Sequence, residues 1–230
     1  MYKRQTDQVE VTVSEPGAAG VMVEAHQKIS VDSAIGSTDG YLQAVLEKND
    51  LFGWSAAALG NISGNAVTDV AVGAFKDDEA EKDAGAVHIL SLDADGKMTT
   101  AARTIGNNDL ATDPINKQDY FGYSVANAGD IDGNGVNDLV VGSIRDELST
   151  GTKDIGSARI LFLDNSLNVI NHTTITTNSA GFNTSLAKMK YFGSAVAGNF
   201  DINADGIPDI AVGARWHKEA GKNKSGAVYV

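Results

Sequence analysis

The chain has 230 residues, a formal net charge of −12 and no cysteine. The surplus of carboxylates repels a phosphate backbone and argues against nucleic acid as a partner, while the lack of thiols removes disulfides, thiol nucleophiles and thiolate metal sites. No apolar run is long enough to cross a bilayer as a helix, so no membrane insertion is expected within this segment.

Met1–Gln5 reads either as translated adapter sequence, an artefact to be set aside from the fold, or as a short basic tail. The alternation in Val9-Glu-Val-Thr-Val13 predicts a strand, turned through Pro16-Gly17 into His26–Ile29, so that residues 9–30 finish a structural unit that precedes them. From there one pattern occurs three times, about seventy residues apart. Its first landmark is Phe52-Gly53-Trp54-Ser55, Phe121-Gly122-Tyr123-Ser124 and Phe192-Gly193-Ser194-Ala195. Its second is a loop rich in side-chain oxygens, at Asn61–Asp69, Asp130–Asp138 and Asp201–Asp209. The loops lead into Val70-Ala-Val-Gly73-Ala74, Leu139-Val-Val-Gly142-Ser143 and Ile210-Ala-Val-Gly213-Ala214, and after a polar stretch come Gly85–Leu90, Gly156–Leu161 and Gly226–Val230. The repeats are bounded at 31–90, 91–162 and 163–230, the third cut short at the C-terminus.

The apolar segments are short, rich in Val, Ile and Leu, and bounded by Gly, Asp, Asn and Ser, which predicts strands joined by turns. Each period holds four; in the second they lie near Lys97–Ile105, Phe121–Ala128, Asp138–Gly142 and Ala158–Leu163. No window carries a sustained 3.6-residue apolar period, which excludes the helical solenoids. The fold class is therefore all-β, and four-stranded units repeated side by side are the blades of a β-propeller. Three blades do not close a ring, so about three blades of a larger ring are expected here.

Oxygen-only ligands crowded into one loop need a hard cation to offset their repulsion, and calcium is the natural one. The second loop offers Asp130, Asp132, Asn134 and Asp138 at positions 1, 3, 5 and 9, the Val136 carbonyl at position 7, and Gly135 at the bend. The third offers Asp201, Asn203, Asp205, the Ile207 carbonyl and Asp209, with Gly206 at the bend. An Asp-Gly turn alone needs one or two such residues, not four at odd spacing. The first loop holds a single carboxylate, Asp69, and Ala66, which resists a positive φ, replaces the glycine, so Asn61–Asp69 is expected to be a metal-free turn. Two Ca²⁺ sites follow. The same spacing opens an EF-hand, but position 12, where that motif needs a bidentate Glu, is Val141 or Val212.

With its FG pair literal in all three copies, the chain resembles the FG-GAP repeats of integrin α-chain propellers and of bacterial secreted or surface proteins, over roughly residues 9–230. The proline of the GAP signature is replaced by Phe75, Ile144 and Arg215. The resemblance implies a propeller of seven blades, a secreted or cell-surface setting, and a role in adhesion.

No catalytic set is visible. His26, His88, His172 and His217 fall on different landmarks without metal-ligand spacing, and no phosphate-binding glycine loop is present, so the chain is read as a non-enzyme. Binding is the better prospect. The loops at Phe75–Ala84, Ile144–Ile155 and Arg215–Ser225 vary while their flanks repeat, and Arg215-Trp216-His217-Lys218 sets an aromatic beside basic groups, as a carbohydrate or acidic-protein contact or as a Trp covering the sheet edge. The long connection Val31–Asp50 is a second candidate. The function expected is a calcium-stabilised module recognising an extracellular protein or carbohydrate; the alternatives are an accessory propeller of an extracellular hydrolase or lyase, and a structural spacer.

Overall fold

The structure is a computed structural model and describes residues 28–30, 41–78, 80–110, 112–147, 154–177, 179, 181–182, 186, 191–218 and 224–230. The strand expected at Val9–Val13, its hairpin and most of the Val31–Asp50 connection lie outside these residues.

Apart from a five-residue helix α1 (Tyr41–Val45) and one short 3-10 turn, the described elements are strands. They form three antiparallel sheets. The first runs β1 (Ser55–Gly60), β2 (Asp69–Ala74), β3 (Ala86–Leu92) and β4 (Met98–Ile105); the second runs β5 (Phe121–Gly129), β6 (Asp138–Ser143), β7 (Ser157–Leu163) and β8 (Val169–Ile175). The third comprises β9 (Phe192–Phe200), β10 (Asp209–Ala214) and β11 (Ala227–Tyr229). In each sheet the strands are hydrogen-bonded in sequence order, the meander of a propeller blade.

The grouping differs from the expectation in one respect. The strand expected near Lys97–Ile105 in the second period is β4, and it pairs with β3 of the first sheet, through Val87↔Ile105 and Ile89↔Arg103. A tight turn explains this, because Asp93 Oδ1 accepts from the amides of Asp95 and Lys97 and folds the chain directly back on β3. An equivalent turn at Asp164 joins β7 to β8.

The runs after the first and second oxygen-rich loops are apolar throughout because both of their faces are covered. In the first sheet Ala71 and Ile89 face the second sheet, in one core with Leu139, Val141 and Phe121, while Val72 and Leu90 pack on the other side against Leu42 of α1. In the second sheet Val140 turns the other way, into a core with Phe192, Val212 and Ala214 of the third. Alternate residues of one strand thus serve two interfaces.

Glycine sets how closely the sheets approach. A Cβ on Gly73 would lie 2.1 Å from the Gly122 carbonyl oxygen, and one on Gly142 would lie 2.0 Å from that of Gly193. The serine of the first landmark fastens the same contact, Ser55 Oγ donating to the Gly122 oxygen at 2.9 Å and Ser124 Oγ to the Gly193 oxygen at 2.8 Å.

The second sheet also holds a buried ionic group. Arg159, 1 % exposed, reaches Asp146 at 2.9 Å and Asp113 at 3.2 Å and donates to the Ser143 hydroxyl at 3.0 Å. Burial pushes the Asp146 carboxyl up, against the pull of Arg159. Asp119, fully buried, is pushed up to about 7, first by burial and then by the Asp146 charge.

Candidate metal centre

The three oxygen-rich loops join the first and second strands of their sheets at the end where Gly60 pairs with Asp69 and Gly129 with Asp138. Their closing Asp is the first residue of β2, β6 and β10, so one carboxylate of each loop is fixed by a sheet. In the second loop Asp138 is fully buried, its carboxylate accepting from the amides of Ile131 at 2.8 Å and Leu163 at 3.1 Å. Burial nonetheless holds its carboxyl above the usual range; the Leu163 and Ile131 amides pull it down, and the Asp132 charge pushes it up.

The rest of the loop wraps around that anchor. Asp130 accepts from the amides of Asn134 and Gly135, both at 2.9 Å, and Asp132 accepts from Asn134 N at 3.1 Å. Asn134 Oδ1 accepts the Val136 amide at 2.7 Å, while its Nδ2 donates to the Leu163 carbonyl at 2.9 Å. These contacts bring one oxygen each of Asp130, Asp132 and Asp138 within 4.8 Å of one another, so the cluster could hold a metal ion. The spread suits calcium, since oxygens about 2.4 Å from a common centre are at most about 4.8 Å apart.

The third loop repeats the scaffold. Asp201 accepts from Asp205 N at 3.2 Å and Gly206 N at 2.9 Å, Asp205 Oδ1 accepts the Ile207 amide at 2.8 Å, and Asp209 accepts Ile202 N at 2.7 Å. Its bend matches too, with Gly206 at φ 86° and Gly135 at φ 87°. Among the described residues, however, the second loop alone brings three acidic side chains to one point. Position 3 of the third loop is the amide Asn203, whose Oδ1 accepts Asp205 N at 2.9 Å and whose Nδ2 donates to Asp205 Oδ2 at 3.0 Å.

The first loop takes the same path, contrary to the expectation that Ala66 would resist it: Ala66 sits at φ 67°. A left-handed alanine costs about 1–2 kcal/mol, and local hydrogen bonds offset it. Asn61 Oδ1 accepts the Ala66 amide at 3.2 Å and Asn65 Oδ1 that of Val67 at 2.8 Å. The Ser63 hydroxyl lies 3.0 Å from Asp69 Oδ1, and the Asp69 carboxylate also takes the amides of Ile62 and Ser63. Neutral donors here meet the lone carboxylate, where the second loop sets carboxylates side by side.

Of the histidines, His88 is fully buried, 3.2 Å from Thr104 Oγ1 through Nδ1 and 3.7 Å from Asp77 through Nε2. Neither this packing nor the Arg159 group is marked by any motif in the residue pattern.

Fold and loops together define successive blades of a β-propeller with an oxygen-lined turn in each. Residues 192–230 match the FG-GAP repeat family. The chain is 32% identical to integrin alpha-5 of Xenopus laevis over 191 residues, which is 82% of this chain and 16% of that protein. Integrin alpha-E of Homo sapiens is 33% identical over 99 residues, 42% of this chain and 8% of that protein; integrin alpha-6 of Homo sapiens is 34% identical over 98 residues, 43% and 7%. The chain thus spans less than a fifth of the length of these relatives, and it belongs to the FG-GAP repeat, integrin α-like family.

Proposed function

We propose that this segment is a calcium-binding β-propeller module of a secreted or cell-surface protein, acting in adhesion through recognition of an extracellular protein or carbohydrate, with calcium in a structural role. The observation that carries the calcium reading is the convergence of Asp130, Asp132 and Asp138, one of them buried, on a span that a calcium ion fits. Asn134 and the Val136 carbonyl complete that ligand set. Asp201, Asn203, Asp205, the Ile207 carbonyl and Asp209 form a second site on the same scaffold, and Asn61–Asp69 stays empty.

The ion supplies positive charge where three carboxylates repel one another and ties the loop to the buried start of the following strand. It does not act as a catalyst in this reading. The similarity to integrin α chains supports the extracellular and adhesive setting, in a larger ring of blades. The repeats, at 31–90, 91–162 and 163–230 in sequence, each supply the landmarks of one blade.

Calcium titration by calorimetry with parallel thermal melts tests the reading. Two saturable sites are expected, one lost in Asp130→Ala and the other in Asp201→Ala, each raising the melting temperature when filled. Absence of any calcium-dependent shift in the unaltered chain refutes it.

A further inference from the structure

At the end of the sheets opposite the oxygen-rich loops, aromatic and basic side chains from all three repeats join in one strip. That end is fixed by strand direction: Ser55 pairs with Gly73 there, while Gly60 pairs with Asp69 at the loop end. Trp54, 52 % exposed, lies 4.8 Å from the buried ring of Phe75 and 5.5 Å from Tyr123 of the second repeat. Arg215 of the third repeat sits over Tyr123 at 5.6 Å and over Tyr191 at 4.8 Å, and donates to the Tyr123 hydroxyl at 2.9 Å. Tyr191 meets Trp216 edge-on at 4.6 Å, and Lys224 lies 4.0 Å above the Trp216 ring.

Charge compensation divides the cations of this strip. Lys76 and Arg145, both near Tyr120, are answered by Asp83 and Asp154. The exposed Arg215 and Lys224 have no carboxylate within ion-pair distance among the described residues, in a chain whose net charge is −12. Two cations held on aromatic faces with no carboxylate partner among the described residues are complementary to a ligand that brings its own carboxylates.

We propose that this strip binds an acidic polysaccharide, with uronate carboxylates pairing with Arg215 and Lys224 and a sugar ring resting on Trp54. The half-exposed indole favours a sugar over an acidic peptide. The C–H face of a pyranose is apolar and weakly positive, which suits an aromatic face, whereas a peptide carboxylate uses the cations and leaves Trp54 idle. The proposal rests on the reading of the segment as a recognition module and names the ligand class. Arg215 is pre-positioned by two tyrosines, so little side-chain entropy is lost when an anion arrives.

The test uses the full chain in calcium, titrated by calorimetry with a hyaluronan decasaccharide, with poly-glutamate and a neutral cello-oligosaccharide as comparators. Hyaluronan is expected to bind most tightly of the three. Arg215→Ala and Trp54→Ala should each weaken it about tenfold or more, and Lys224→Ala, at an exposed site that cannot unfold the blade, should weaken it measurably. Undetectable hyaluronan binding, equal binding of poly-glutamate, or affinity unchanged in Trp54→Ala and Lys224→Ala would overturn the proposal. A calcium melt on the same sample separates the two readings: a calcium-raised melting temperature without hyaluronan binding sinks the ligand assignment alone, whereas loss of the calcium effect sinks the module reading.

Discussion

The sheets approach so closely at their glycines that one methyl group should part them, and the three equivalent positions provide an internal control. Gly142→Ala puts a Cβ 2.0 Å from the Gly193 oxygen and 2.4 Å from Ser124 Oγ. Carbon and oxygen normally stay about 3.3 Å apart, so the second and third sheets must separate by more than about 1 Å. Overpacking of this kind costs about 1–3 kcal/mol, and loss of the Ser124 hydrogen bond adds about 1 kcal/mol. Restricting the unfolded chain returns about 0.5–1 kcal/mol, because Gly142 is not in the left-handed region and alanine fits its backbone. The net loss is about 1–3.5 kcal/mol, or roughly 2–14 °C in melting temperature for a chain of this size. Gly73→Ala, with its Cβ 2.1 Å from the Gly122 oxygen, should behave alike. Gly213→Ala meets the Ala195 methyl at 3.4 Å and the Ala195 carbonyl oxygen and Ser194 Oγ at 3.6 Å, all ordinary contacts, and should leave this chain's melting temperature unchanged or slightly raised. Differential scanning calorimetry on the three variants decides. Equal effects at Gly142 and Gly213 would refute the inter-sheet packing described here.

Asp119, with a pKa raised from 3.8 to about 7, keeps a proton in the folded chain that the unfolded chain has already lost, so its contribution to stability is present in acid and is lost as pH rises from about 4 to about 7. Asp119→Asn should therefore gain stability over the unaltered chain at pH 8 and flatten the pH dependence of urea unfolding between those limits; an unchanged profile contradicts the assignment. Arg159→Ala, which leaves Asp146 buried without its cation, should cost about 3–5 kcal/mol by urea unfolding, and the apolar pair Arg159→Met with Asp146→Leu should recover most of it. Asp69→Ala should destabilise equally in calcium and in chelator, since its carboxylate serves amides and a hydroxyl, whereas Asp138→Ala should abolish the share of calcium-dependent stability that the second loop contributes and leave that of the third.

Much of this was legible in the sequence because the repeat places each chemical type at a fixed point. The run Leu139-Val-Val-Gly142 reads as a strand covered on both faces, and it is one. The bend at Gly135 and the clustering of Asp130, Asp132 and Asp138 follow from residue type and spacing. What was missed depends on pairing between segments. Met98–Ile105 carries no mark of the sheet it joins; the Asp93 turn, read only as a turn, decides it. Ala66 was judged on its intrinsic preference, but the Asn61 and Asn65 side chains hold its loop in the left-handed bend. Trp54, Tyr123 and Arg215 are distant in sequence, and their meeting depends on the register between neighbouring sheets.

Crystals grown in calcium, with anomalous differences collected near the metal's absorption, test the central claim most directly. The account predicts an anomalous peak enclosed by Asp130, Asp132 and Asp138, a second enclosed by Asp201, Asp205 and Asp209, and none in Asn61–Asp69. A second loop without a peak, its carboxylates held only by backbone amides, would contradict it.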